Sequence, residues 1–435
     1  MLSAEPSPPP PRFGAPFHRF WAGCVSSNLA DGVMLTTLPV LAAALTDDPL
    51  AVAGLAAARY LPWLLFGLFA GVLADRFDRV RTMAAANLVR AAVIVALAVL
   101  TTAGQATVTL LYLVMFTVMT CEVFYDVAGR AVLPSLARGA VDRANGRLVA
   151  GREVAQEFVG APLGGFLFAV AASLPLAVNA GAWILGAVVL LGLPLAARGP
   201  GARSARPPGT PVHGVRAPVV GPVLSDLAEG LRFVWRDVPL RALVLFVAVA
   251  NFGAGALAGV FVLVVQDHFG VPEPLFGVFL AVAAVGAVIG AALSSRAGER
   301  FGRFPVLAAG FLGQAGLCVV FAFAPNAWVA AVAWSSLAGV STLAGVLAAG
   351  MVQLVVPEPL MGRVLSAKKV LSFSLLPLGA LAGGLLGRVD LRVPAVFGAV
   401  VVAVATVWVW NRLRVLAARA DEAERAARRS GPVEG

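Results

Sequence analysis

Gly71-Val72-Leu73-Ala74-Asp75-Arg76-Phe77-Asp78-Arg79-Val80-Arg81 lies between two long apolar runs, and a shorter copy, Glu299-Arg300-Phe301-Gly302-Arg303, returns about half the chain later in the same setting. A charged knot that recurs in this way reads as a tight loop present once in each of two copies of a helical bundle. Other fragments keep nearly the same offset. Ala161-Pro162-Leu163-Gly164 matches Leu376-Pro377-Leu378-Gly379, Asn145-Gly146-Arg147 resembles Met361-Gly362-Arg363, and Asn28 corresponds to Asn251. Parallel halves related by an axis along the membrane normal are a plan that transporters use.

Composition sets the solvent. Of 435 residues, 60% are hydrophobic and 13% charged, more apolar surface than a water-soluble chain of this length can hide. Apolar stretches of about 20 residues, long enough to cross a bilayer as helices, recur near 18–45, 50–74, 82–103, 106–128, 150–172, 174–197, 239–266, 273–295, 304–324, 327–350, 364–386 and 392–413. The expected fold is therefore all-α and integral to the membrane, with twelve transmembrane helices in two six-helix halves. The expected organisation is a disordered tail at 1–17, a first half at 18–197, a linker at 198–238, a second half at 239–413 and a tail at 414–435. Within the linker, Ser225 to Asp237 reads as a short amphipathic helix with Leu227, Leu231, Val234 and Trp235 turned inward. Arg412 to Arg429 reads as a basic, Ala-rich helix.

Nearly all of the 33 Lys and Arg residues fall on one side of these spans; Arg388 and Arg392 lie in loops on the other, and Arg59 and Arg90 within spans. The positive-inside rule then puts both termini in the cytoplasm of a protein of the plasma membrane. The net charge of +10 follows from that bias and gives no reason to invoke nucleic acid. Cys24, Cys121 and Cys318 sit in different spans without metal-ligand spacing and read as small apolar residues, with no disulfide. No Gly-Lys-Ser/Thr phosphate loop, nucleophile–base pair or metal-ligand set is legible, so neither an ATP-driven pump nor an enzyme is expected, and no cofactor.

Gly71-x-Leu73-Ala74-Asp75-Arg76-x-x-Arg79 resembles the signature of the loop between the second and third helices of the major facilitator superfamily, with Asp78 in place of a Gly. Leu38-Pro39, Thr46, Leu61-Pro62-Trp63 and Leu133-Pro134-Ser135-Leu136 strengthen the resemblance, which is greatest to the branch of macrolide-efflux and enterobactin-exporter-like proteins and runs from Phe17 to Arg414. Gly160-Ala161-Pro162-Leu163-Gly164-Gly165 resembles the antiporter signature of the fifth helix, with one Ala inserted and the Pro one place late. The family's Arg-containing signature of the fourth helix is absent, so the proton-handling role of that Arg does not carry over. The resemblance implies alternating access, with Asp75 near the start of the eleventh span and Glu299 near the start of the fifth. Gly71, Asp75, Arg76, Arg79, Glu299, Arg300 and Arg303 are thus expected in a cytoplasmic gate, or serve only to anchor topology.

Charged groups at bilayer depth are costly and mark function by default. Asp31 lies near the middle of the first span, with Asn28 and Leu35 on its face; Arg59 lies at similar depth in the second span as a candidate partner. Asp31 reads either as a carboxylate that binds and releases a proton or as half of a structural ion pair. Glu122 and Asp126 share a face of the fourth span, at depths compatible with Arg90 and with the Arg76/Arg130 region; Glu122 is expected to be the deeper and more open of the two. Glu153 and Glu157 repeat the same spacing at the inner end of the fifth span, where gate-lining salt bridges are expected. Asp31, Glu122, Arg59 and Asp126 are thus the candidates for proton coupling, all in the first half; the position equivalent to Asp31 in the second half is Ala254. Asn28, Asn251, Phe252, Trp328 and Trp334 are candidates for the substrate cavity, although packing alone accounts for an aromatic residue here. Gly160, Gly164 and Gly165 read as close-packing positions, and Pro162 and Pro377 as kinks.

The reading that joins these points is a monomeric secondary exporter of amphipathic small molecules, a drug or natural-product efflux protein of the multidrug-resistance kind, exchanging substrate for protons. A dedicated siderophore or metabolite exporter, a lysolipid transporter and a membrane sensor or scaffold that moves nothing remain as alternatives.

Overall fold

The computed structural model describes residues 13–67, 77–137, 140–194 and 220–430. Helices α1 (Ala15–Leu45), α2 (Pro49–Phe66), α3 (Arg79–Thr102) and α4 (Val108–Leu136) are continuous crossings. The fifth crossing is built from α5 (Val141–Glu153), a π-helical turn (Val154–Gly160) and α6 (Ala161–Val170), and α7 (Ser173–Leu191) completes the first half. Helix α8 (Val220–Arg236) leads into α9 (Val238–Leu263), α10 (Glu273–Phe301), α11 (Arg303–Ala322), α12 (Ala327–Val355), the pair α13 (Met361–Ser374) and α14 (Leu376–Gly387), and α15 (Val393–Ser430). Among the described residues, eleven helical stretches are long and apolar enough to cross a membrane, with α13 and α14 together forming one of them. The broken fifth stretch makes twelve crossings in two halves of six.

The two breaks fall at the duplicated prolines. Pro162 lacks an N–H, and in an α-helix its ring would strike the carbonyl four residues back. The preceding turn widens instead, so that the Ala161 N–H donates to the Gln156 carbonyl, five residues away. Pro377 is the second residue of α14 and follows a break at Leu375. Proline in the first turn of a helix removes no hydrogen bond that the helix would have made.

The packing is asymmetric across the membrane. One apolar core joins both halves on one face, with Leu38, Leu55, Ile94 and Phe168 of the first half in the same cluster as Phe261, Phe276 and Phe321 of the second. Toward the face that carries the chain ends, that core divides in two. One cluster holds only first-half residues, among them Phe17, Phe20, Met83 and Leu136; the other holds only second-half residues, among them Leu243, Phe246, Met351 and Leu413. The halves are joined on the opposite face and apart on the terminal face.

Small residues make the opposite-face seam. A Cβ on Gly277 of α10 would run into the Ala161 carbonyl, and one on Gly165 of α6 would sit 2.6 Å from the Pro274 carbonyl. On the other flank, a Cβ on Gly384 of α14 would come within 2.7 Å of Leu50 and Ala53 of α2. An ion pair caps this flank: Arg388 donates from Nε and Nη2 to both carboxylate oxygens of Asp48, at 2.8 and 2.7 Å. Bidentate geometry of this kind is the strongest form of a guanidinium–carboxylate bond. It connects the loop after the first span to the loop after the eleventh.

Two terminal-face elements shape the second half. Helix α8 buries Gly230 and Val234 against it and leaves Leu231 and Trp235 on its exposed side. Its docking partner sets that rotation: Gly230 lies against the Arg363 backbone, and Arg363 donates to Glu229 at 2.7 Å. The last span does not end near residue 413. With no Gly or Pro between residues 399 and 430, nothing stops the helix, and α15 runs on for 38 residues in all. Leu416, Ala417 and Ala420 of this extension are buried, and Arg303 bridges to Asp421 and Glu424.

Two outcomes test the seam. Gly277→Val should cost about 1–3 kcal/mol by overpacking, lowering the melting temperature and lengthening spin-label distances between the opposite-face ends of α6 and α10. The bonds from Arg388 hold the Asp48 carboxyl below the usual carboxylate range. Its contribution to the closed seam is thus complete above the ordinary value of about 3.9 and is lost as pH falls through the lowered one. Spin-label distances between α2 and α14 should therefore lengthen on acidification into that window, and Asp48→Asn should reproduce the acid state at neutral pH.

Candidate functional site

A buried arginine organises the interior of the first half. Arg90 on α3 is completely buried, and Asp31 of α1 and Glu122 of α4 converge on it with 7% and 8% of their surface exposed. Arg90 Nη2 lies 2.6 Å from Glu122 Oε2, and Nη1 lies 3.4 Å from Asp31 Oδ1. The guanidinium also faces two rings, Tyr125 at 5.0 Å and Trp183 of α7 at 5.4 Å. One guanidinium thus serves two carboxylates, and the cluster holds one negative charge more than it can neutralise. Hydrogen bonds from neighbouring helices fix the frame: Asn87 donates to Ser27 at 2.7 Å, and Asn179 donates to the Ala30 carbonyl at 3.0 Å.

Asp31 and Glu122 lie at the wall of a central cavity of about 520 Å³. Asp126, Arg130, Arg152 and Gln156 line it on the first-half side, as do Arg59, Tyr60 and Trp63 of α2; Ser366, Lys369, Val370 and Phe373 of α13 face them. Lined by both halves, the cavity lies toward the terminal face, where the two described cores separate. Asp126 pairs with Arg130 at 3.0 Å and with Arg152 at 4.0 Å, and Arg152 donates to Gln156 at 3.1 Å. The arrangement can hold a guest of drug size, and it exposes an acid with a shared counter-ion to whatever enters.

The sequence candidates divide. Asp31, Glu122, Arg59 and Asp126 all reach this cavity. The partner of Asp31 is Arg90, not Arg59, because α3 turns its arginine into the bundle between α1 and α4 while Arg59 faces the cavity. Glu122 is less open than expected, since Arg90 draws it into the wall. Glu153 is exposed and Glu157 half-buried. Neither has an ion pair within 4 Å among the described residues, so the expected salt bridges are not formed.

Of the gate residues, Gly71, Asp75 and Arg76 lie outside the described residues. Arg79 donates to the Ala131 carbonyl at 2.8 Å. Glu299 and Arg300 are exposed, and Arg303 is engaged by the α15 extension. The start of the eleventh span is occupied by α8 through Arg363. Asn28 is half-buried on α1. Asn251 donates to the Ser372 carbonyl at 2.7 Å. With Trp334 it lines a second cavity, of about 400 Å³, inside the second half. Phe252 packs edge-on against Phe397 at 5.8 Å. Trp328 is 84% exposed at the start of α12, a position suited to a membrane interface and not to substrate. Gly160 and Gly164 bring the fifth span onto the backbone of α1, at Leu29 and Val33.

Sequence reasoning put Arg90 at the depth of Glu122 but not against Asp31, and passed over Arg152, Lys369 and the Asp48–Arg388 pair. Arg90 carried a signal, an arginine within the apolar stretch of α3, but depth alone does not name a partner.

Stability variants test the hub. Arg90→Ala strands two buried carboxylates and should cost about 3–5 kcal/mol. Asp31→Asn, which removes the surplus charge and the longer contact, should cost least, with Glu122→Gln between them. Thermal unfolding in detergent measures the order; equal losses for Arg90→Ala and Asp31→Asn would remove Arg90 from the centre of the cluster.

The fold recurs among transporters. It superposes on the crystal structure of the nucleoside transporter NupG with a TM-score of 0.69 at 11% identity, covering 93% of this chain and 99% of that one. A bacterial homologue of the iron transporter ferroportin, in an inward-facing state, gives 0.67 at 19% identity, covering 92% and 98%. A bacterial homologue of the human lysosomal transporter Spinster, inward-facing and unoccupied, gives 0.62 at 17%, covering 95% and 98%. At these identities the likeness shows the fold alone. No curated protein sequence matches the chain. The family model described as Major Facilitator Superfamily matches residues 20–367 and again 243–433. The chain is a multi-pass membrane transporter and belongs to the major facilitator superfamily.

Proposed function

We propose that this transporter expels amphipathic small molecules in exchange for protons, in the manner of the macrolide-efflux and enterobactin-exporter-like branch. The observation that carries the reading is the Asp31–Arg90–Glu122 cluster at the cavity wall. Its surplus negative charge is removed by one proton, and the geometry favours Asp31 as the group that takes it. Both border the cavity, but Glu122 is held by Arg90 at 2.6 Å whereas Asp31 sits at 3.4 Å. A proton on Asp31 leaves a neutral Arg90–Glu122 pair, so the cluster alternates between two charge states without unpairing the arginine.

The positive-inside bias supports a plasma-membrane protein whose terminal face is cytoplasmic. On that assignment the state described is inward-open, ready to load substrate from the cell, and the joined opposite face is the outer gate. The chain functions as a monomer, each molecule containing both halves of the cavity. The driving force is adequate. One inward proton yields about 1.4 kcal/mol per pH unit and about 2.3 kcal/mol per 100 mV. Together these sustain a several-hundredfold gradient of a neutral substrate.

Inverted vesicles under an imposed pH gradient, challenged with a panel of amphipathic compounds, test this reading. Wild type should accumulate substrate only while the gradient lasts. Asp31→Asn should lose gradient-driven transport while keeping substrate binding and protein level. Unchanged transport by the variant would remove Asp31 from proton coupling.

A further inference from the structure

The cavity has a charge imbalance that proton exchange does not use. Counting Arg90 behind its wall, five basic side chains meet three carboxylates. Glu153 and Glu157 do not line this cavity, and neither lies within 4 Å of Arg59 as an ion pair among the described residues. The pairing shows where the surplus lies. Asp31 and Glu122 are taken by Arg90, and Asp126 by Arg130 and Arg152. Arg59 and Lys369 remain, with no carboxylate within 4 Å among the described residues.

These two cations are brought together from different halves. Arg59 lies on α2, and Trp63 follows it by one turn on the same face. The Lys369 ammonium of α13 lies 4.0 Å from the centre of the Trp63 ring. A cation–π contact steadies an ammonium but does not neutralise it. Unpaired positive charge in a partly enclosed, low-dielectric space focuses its field and concentrates anions there. Around the pair the wall is apolar, with Met34, Met119 and Phe373 in reach of the same guest.

We propose that Arg59 and Lys369 form the head-group site for an anionic amphipath, holding a carboxylate, sulfonate or phosphate between them while its apolar body lies on Met34, Met119 and Phe373. The guanidinium supplies a fork for two oxygens and the ammonium a point charge. This rests on the reading of the cavity as a substrate site and adds a charge to the substrate class. Because the cations belong to different halves, an anion bound to both draws α2 and α13 together on the open face, which links occupancy to closure.

The test uses the full-length protein in phosphatidylcholine nanodiscs and two probes of one aromatic body, anilinonaphthalene sulfonate and uncharged phenylnaphthylamine. Wild type should bind the sulfonate about tenfold more tightly than the amine, with an advantage that shrinks as salt rises. Arg59→Gln and Lys369→Gln should each erase most of that advantage without altering amine binding, and Lys369→Arg should restore it. Equal wild-type affinities for the two probes would overturn the proposal whether or not the variants fold, as would unaltered sulfonate binding in both Gln variants. Proton-driven export without preference for anions would sink the head-group site and leave the exporter reading standing. Selective anion binding with no proton-driven transport would do the reverse.

Discussion

The interior of the first half depends on placing a guanidinium where water cannot follow it. Arg90 is completely buried, and an isolated cation at that depth is too costly to keep. Everything around it reduces that cost: two carboxylates on one edge, two aromatic rings near its faces, and amide–hydroxyl and amide–carbonyl bonds that lock α1, α3 and α7 in register. The supply of carboxylate exceeds the need by one. A structural ion pair requires no such excess, and a chain selected for stability alone gains from replacing it with apolar side chains. On the proposed reading, two carboxylates on one arginine give the cluster two charge states, with and without one proton, and Arg90 keeps a carboxylate partner in both.

The second constraint is the absence of a hydrophobic drive between helices in lipid. Lipid tails are as apolar as leucine, so helices associate through close backbone approach and polar contacts. The opposite-face seam has both. Gly165, Gly277 and Gly384 let main chains touch, and the Asp48–Arg388 pair closes the water-exposed rim. A seam of small residues and one exposed ion pair holds without being deep. That suits an interface between halves better than an interlocked leucine core, which separates only by exposing large side chains. On the terminal face each half keeps its own core, and α8 and the α15 extension brace the second half from below.

Much of this was legible in the sequence. The twelve crossings follow from length and hydropathy because lipid leaves few alternatives, and the duplication fixes where halves begin. Asp31, Glu122, Arg59 and Asp126 reach one cavity, as acids and bases within apolar runs should. What the sequence withheld is rotation and reach. Hydropathy gives the depth of Arg59 and Arg90 but not the side each faces, so the wrong arginine was the natural partner for Asp31. An i, i+4 spacing placed Glu153 and Glu157 on one face but did not tell whether a basic partner lies opposite, and none lies within 4 Å among the described residues. Asp48 and Arg388 lie 340 residues apart in two short loops, and neither loop announces its neighbour. Trp328 and Trp334 are six positions apart on one helix, yet one faces outward and the other inward; aromatic content says nothing of which.

Asp31 and the seam are mechanically adjacent. Gly32 follows Asp31 directly, and a Cβ there would strike the Gln156 carbonyl, in the π turn of the fifth span. Main chain therefore touches main chain next to Asp31, with no flexible side chain between to absorb a displacement. The same span continues into α6, where Ala161 and Gly165 meet α10 across the seam. A π turn carries its hydrogen bonds to the fifth residue and sits close in energy to the α form, so it can shorten or move along the helix at little cost. On the proposed reading, a change of charge at Asp31 alters its hold on Arg90, shifts α1 against the π turn, and passes along one rigid half-helix to the opposite-face contacts. The carboxylate thus needs no direct contact with the gate, because it lies against the one stretch of the fifth span whose hydrogen bonding is already off the α pattern.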